Sequence, residues 1–110
     1  IKILINALSR RFNTKRGTYF TDPGYGLDLE DLLGSALLPG SPERIALEMV
    51  EQAKEDERVA NASAPSVSRV FVGSTVAVKV KLNVVPRIGE PFALSTIVDN
   101  VSVTILKAEK

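Results

Sequence analysis

Apolar residues at Ile1, Leu4, Ile5, Leu8 and Phe12 recur three and four positions apart. That spacing draws one stripe along a helix and predicts an amphipathic element over roughly residues 1–13. Asn13, Thr14 and Gly17 end it. Asp28 then caps a short helix through Leu33, with Leu29, Leu32 and Leu33 on one face and Gly34 just past its end. Pro39-Gly40 breaks the chain again. Ser41-Pro42-Glu43 reads as N-cap, first-turn proline and first-turn acid of a longer helix to about Glu57. Its inner face is Ile45, Ala46, Met49, Val50 and Ala53, and Glu48, Glu51, Gln52 and Glu55 face out.

From Val59 the period changes to two. Val67 to Val72 is rich in β-branched and aromatic residues, and Gly73-Ser74 makes a turn. Val76, Val78, Val80, Leu82 and Val84 alternate with Ala77, Lys79, Lys81 and Asn83, the pattern of a strand with one buried face. Pro86 to Pro91 is a second turn, and Val101, Val103 and Ile105 alternate with Ser102 and Thr104 in a last strand. The expectation is one α+β domain over residues 1–110. It has two main helices and one short helix packed on a three-stranded antiparallel meander.

Residues 14–33 interrupt these periodic patterns. Gly17, Pro23, Gly24 and Gly26 surround Tyr19, Phe20 and Tyr25. In Asp22-Pro23-Gly24-Tyr25 the proline presets the second turn position and Gly24 is free to take positive φ at the third. A shaped surface loop is expected, made rigid for another protein to grip.

The 110 residues include no cysteine and no histidine. Disulfides, thiolate nucleophiles and sulfur-ligated metals are excluded, and so is any Ser-His-Asp or Cys-His site within the chain. The missing cysteine is compatible with assembly in a reducing compartment. No apolar run approaches the ~20 residues of a membrane span. The apolar start Ile1–Leu8 lacks the small-residue cleavage site of a secretory signal.

Charge is uneven. Residues 1–21 carry five Lys/Arg and no acid, residues 22–57 balance to −8, and residues 58–110 to +4, giving the net +1. Such blocks suit docking of oriented partners, or pairing of the basic first helix with the acidic second one inside the domain. Glu30-Asp31 and Glu55-Asp56-Glu57 are adjacent carboxylates on helices and read as solvated faces. A glycosidase needs its pair across a cleft. Arg10, Arg11, Lys15 and Arg16 near the aromatics hint at nucleic acid, but the −8 segment that follows repels a polyanion. The loop glycines fit no phosphate-binding motif. No catalytic, cofactor or metal residues are expected, and no nucleic acid or membrane partner. Glu57-Arg58 reads either as a helix end or as an interface arginine able to make forked contacts.

In order, the chain shows a basic amphipathic helix, then R-G-x-x-F-x-D-P-x-Y-G with L-x-x-L, a second helix, an Arg-Val junction and a meander. This resembles the baseplate-wedge family of contractile phage tails, often labelled lysozyme-like. Wedge proteins of tailocins and type VI secretion systems belong to the same family. Arg16, Gly17, Phe20, Asp22, Pro23, Tyr25, Gly26, Leu29 and Leu32 fall where that family's pattern places them. Asp56-Glu57-Arg58 aligns with the family's Glu-Pro-Arg motif in its acid and its arginine, with Glu57 in place of the proline.

The resemblance implies a structural protein of the virion's tail baseplate, assembled in the host cytoplasm, and no enzyme. Asp56, Glu57 and Arg58 would grip the helical core bundle of larger wedge proteins. Arg16, Gly17, Phe20, Asp22, Pro23, Tyr25 and Gly26 would bind a partner or shape the loop. Val101, Ser102, Val103, Thr104 and Ile105 would form the edge strand that docks the tail sheath protein by strand addition. The tail tube or hub is a further candidate partner. A tailocin or type VI wedge is the alternative machine, and a nucleic-acid-binding module or a cell-wall hydrolase are rival classes.

Overall fold

The computed structural model describes residues 2–18, 20–29, 40–73, 75–99 and 102–109. Among them are two helices, α1 (Lys2–Asn13) and α2 (Ser41–Glu55), and four strands, β1 (Val59–Val72), β2 (Thr75–Pro86), β3 (Phe92–Val98) and β4 (Val103–Glu109). The strands form one open antiparallel sheet in the order β1-β2-β3-β4. Both helices lie on one face, α2 against β1 and β2, and α1 against α2 and β4.

This corrects the expected three-stranded meander to four strands. The missed strand is β3, Phe92-Ala-Leu-Ser-Thr-Ile-Val98. Phe92, Leu94, Thr96 and Val98 point into the core. Thr96 places a hydroxyl where the alternation calls for an apolar side chain. Burial is possible because its Oγ1 donates to the Val80 carbonyl at 2.9 Å. The expected short helix from Asp28 to Leu33 falls, beyond Leu29, outside the described residues.

Hydrophobic burial organises the rest. Leu4, Leu8 and Phe12 from α1 and Ile45, Met49 and Ala53 from α2 meet Val78, Val80, Leu82 and Val84 from β2 and Phe92, Leu94 and Val98 from β3. Each fully buried large side chain is worth about 1.5–3 kcal/mol. α2 starts one residue earlier than a Ser41 cap requires: Gly40, at φ 83°, is the cap, and Ser41 is the first helical residue. It ends at Glu55, because Asp56 turns extended. β1 is longer than the expected Val67–Val72 strand and is irregular. Its pairing slips between Val59 and Asn61 and between Ser63 and Ser66, where Pro65 has no N–H to offer the ladder.

Candidate functional site

The sequence-predicted residues occupy three surfaces. The first is the junction between α2 and β1. Asp56 is buried, with 6% of its surface exposed. Its Oδ1 accepts the Arg58 backbone N–H at 2.9 Å and Nε–H at 3.0 Å, and its Oδ2 accepts Nη2–H at 3.0 Å. Burial pushes the Asp56 carboxyl up, but the Arg58 side-chain and backbone hydrogen bonds, helped by the charges of Arg58 and Arg11, hold it below the ordinary carboxylate range. The hydrogen bond to Asp56 raises the Arg58 pKa still further.

Two bonds from the β2–β3 turn complete the junction. The Glu57 carbonyl accepts Arg87 Nε–H at 2.7 Å, and the Arg58 carbonyl accepts the Arg87 backbone N–H at 2.9 Å. The Arg58 side chain remains half exposed, at 50%. Beside it opens a groove of about 690 Å³ between the start of α1 and the Pro86–Glu90 turn. Ile3 and Ile88, 75% and 94% exposed, stand on its two sides, with Glu57, Arg58, Arg87 and Glu90 around them. Sequence reading missed Ile3 and Ile88. The signal was there, since Ile3 lies off the stripe of α1 and Ile88 sits in a Pro/Gly turn where no core needs it.

The second surface is the loop from Thr14 to Leu27. Its ends are joined: Leu27 N–H donates to Thr14 O at 2.9 Å and Arg16 N–H to Leu27 O at 3.2 Å, giving a parallel bridge between Lys15 and Leu27. Gly26, at φ 100°, is the close approach, and a Cβ there would collide with the Thr14 carbonyl oxygen. Tyr25 N–H donates to Asp22 O at 3.1 Å, closing the expected turn, but Gly24 is not among the positive-φ glycines.

The loop is fastened to α2 by Gln52, which the helical pattern had placed facing out. Gln52 is buried; its Oε1 accepts Gly26 N–H at 3.0 Å and Arg11 Nη1–H at 3.3 Å, and its Nε2 donates to Gly24 O at 2.8 Å. Arg11 also stacks over the Tyr25 ring at 4.3 Å. Arg16 donates to Gly26 O and pairs with Glu48 at 2.9 Å, a basic-to-acidic contact between the loop and α2. So Arg16, Tyr25 and Gly26 hold the loop's shape. Phe20 is 94% exposed, and Gly17, Asp22 and Pro23 are exposed with it.

The third surface is β4, an edge of the sheet. Val101 lies outside the described residues. Ser102 precedes the strand, which continues past Thr104 and Ile105 to Glu109. Val103 is already engaged on its outer side: Asn13 Oδ1 accepts its N–H at 2.7 Å and Asn13 Nδ2 donates to its carbonyl at 3.0 Å. Asp99 N–H donates to Ser102 O at 3.0 Å on the inner side.

Among the described residues no group of three His, Cys, Asp or Glu side chains could hold a metal, and no helix is long and apolar enough to cross a membrane. No protein-family model matches the chain, and no curated protein matches its sequence.

Proposed function

We propose that this chain is a structural baseplate-wedge subunit of a contractile tail. It bridges the helical core of the wedge to the first ring of sheath and starts sheath assembly by strand addition. A wedge of a tailocin or a type VI-like machine is the same role in another particle.

The observation that carries this reading is the Asp56–Arg58 clamp. The family motif that the segment resembles has proline at the Glu57 position. Here the kink is fixed by other means: Asp56 binds both the backbone and the guanidinium of Arg58, and Arg87 holds the Glu57 and Arg58 carbonyls. Arg58 is thereby presented in one orientation beside an apolar groove with a charged rim. An amphipathic helix docks well on such a surface, its apolar side against Ile3 and Ile88 and its carboxylates or backbone oxygens toward Arg58.

The test is incorporation. A tagged copy expressed with the tail genes should co-purify with baseplates, and loss of the chain should leave tubes without sheath. Arg58→Ala should fold normally and be recovered mostly outside particles. Wild-type incorporation of Arg58→Ala removes the clamp from the reading. Sustained turnover of purified peptidoglycan by the free domain would overturn the structural role altogether.

A further inference from the structure

At one point the outer edge of β4 is already occupied, and the occupant is chemically a peptide group. The Asn13 carboxamide is an amide with one acceptor and donor N–H groups, the same pair a backbone presents. It takes the Val103 N–H at 2.7 Å and gives an N–H to the Val103 carbonyl at 3.0 Å. That two-way exchange with a single residue is what a neighbouring antiparallel strand makes at a hydrogen-bonded pair. The carboxamide is also tied back to its own helix, with Nδ2 donating to Ser9 O at 2.8 Å.

Beyond Val103 the edge is open. Among the described residues no backbone partner outside β3 is found for Ile105 to Glu109. Leu106 is 52% exposed, and the Lys107 and Glu109 side chains are 65% and 56% exposed. Both edges are irregular: β1 carries Pro65 and two register slips before a regular run from Ser66 to Val72, and β4 carries one slip, with Leu106 as the extra residue between the partners of Thr96 and Ser95, a bend that an added strand has to follow.

We infer that Asn13 is a register stop. An extended strand of the sheath subunit pairs with β4 between Ile105 and Glu109, and its pairing ends where Asn13 holds Val103. This rests on the strand-docking role proposed above. Removing the carboxamide frees one more hydrogen-bonding position, so the added ladder lengthens back over Val103.

Single-amide hydrogen exchange, read by mass spectrometry with fragmentation, tests this on the free domain and on purified baseplate–sheath particles. In the free domain, Asn13→Ala should speed Val103 exchange at least tenfold, while Asn13→Asp, which keeps the acceptor, should hold it slow. In wild-type particles new protection should appear only between Ile105 and Glu109. In Asn13→Ala particles it should include Val103.

Equal Val103 exchange in the free wild type and Asn13→Ala overturns the stop, as does new protection starting at the same residue in both kinds of particle. If Asn13→Ala does not fold, the wild-type against Asn13→Asp comparison decides: fast Val103 exchange in the aspartate variant counts against the stop. No new protection on β4 in wild-type particles sinks the strand-docking role itself. A tight homodimer of the free wild-type domain paired along β4 would make a second copy the occupant, and would equally refute the assignment.

Discussion

Asn13 at the end of α1 and Val103 at the start of β4 exchange two hydrogen bonds across 90 residues of sequence. The pair fixes which way the strand's backbone faces. Val103 turns its N–H and carbonyl outward, and the alternation of an antiparallel ladder then turns those of Thr104 inward, toward Ile97.

Proline substitutions along β4 should therefore divide by side. Thr104→Pro removes an inner ladder bond and leaves a carbonyl of β3 unpaired, a loss of about 1–3 kcal/mol before any steric cost. Val103→Pro keeps the inner ladder; beyond the packing lost by truncating this buried side chain, which Val103→Ala measures, it loses the bond to Asn13 and should cost about 1 kcal/mol more. Urea melts of the three variants, with Thr104→Ala as the matching control for Thr104→Pro, check this. Equal losses relative to the alanine controls would mean that the strand does not face as described.

Gln52 joins the loop to α2 through both of its amide atoms. Gln52→Leu keeps the side chain's bulk but orphans the buried Gly26 N–H, so stability should fall by about 1–3 kcal/mol. Exchange of the Gly26 amide should rise by more than the global loss explains, because the loop opens first. If Gly26 exchange tracks global unfolding alone, Gln52 is not the fastening.

Gly26→Ala should be worse tolerated than Gly17→Ala. Both glycines have positive φ, but only at Gly26 would a Cβ meet another atom, the Thr14 carbonyl oxygen. Strain of this backbone kind costs about 1–3 kcal/mol, and relief at Gly26 also requires breaking the Lys15–Leu27 bridge. Thermal melts of the two variants should separate clearly, and coincident melting temperatures would contradict the close approach.

Acid stability should depend on Asp56. Its folded-state pKa is depressed, with Arg58 the main source of the lowering, against about 3.9 for an aspartate in an unfolded chain. Between those two values the unfolded chain binds the extra proton. The contribution of Asp56 is therefore full above about pH 4 and is lost as pH falls through the folded pKa. Asp56→Asn should be less stable than wild type at pH 6, and the gap should narrow toward pH 2. With no histidine in the chain, no side chain of ordinary pKa titrates between pH 5 and 8, so pH 6 is a flat reference point for the gap. A gap that stays constant from pH 6 to pH 2 would remove the carboxylate–guanidinium pair as its cause.

Periodicity made α1, α2 and β2 legible, because in each the apolar residues alone mark the buried face. It lost β3 for the converse reason: Thr96 is buried by virtue of an acceptor, Val80 O, that belongs to another strand. The same holds for the site. Gln52 follows Glu51 on a charged helix face and reads as solvated, yet it is buried by acceptors and donors in a loop 26 and 28 residues away. Asn13 reads as a helix terminator, and its other function depends on a strand near the far end of the chain. Asp56 and Arg58 hold each other two positions apart, yet Asp56 stands in a run of three acids that reads as a solvated face, and its burial corrects that reading.

The interruption at Pro65 gives the sheet a polarity. One border strand breaks its rhythm twice and carries a residue with no hydrogen to donate, while the other border slips once, at Leu106, and among the described residues has no backbone neighbour on its outer side from Ile105 to Glu109. Under the strand-docking role proposed for β4, a strand added there would lengthen the sheet from one side, and growth begun on this domain would have a direction built in from the start.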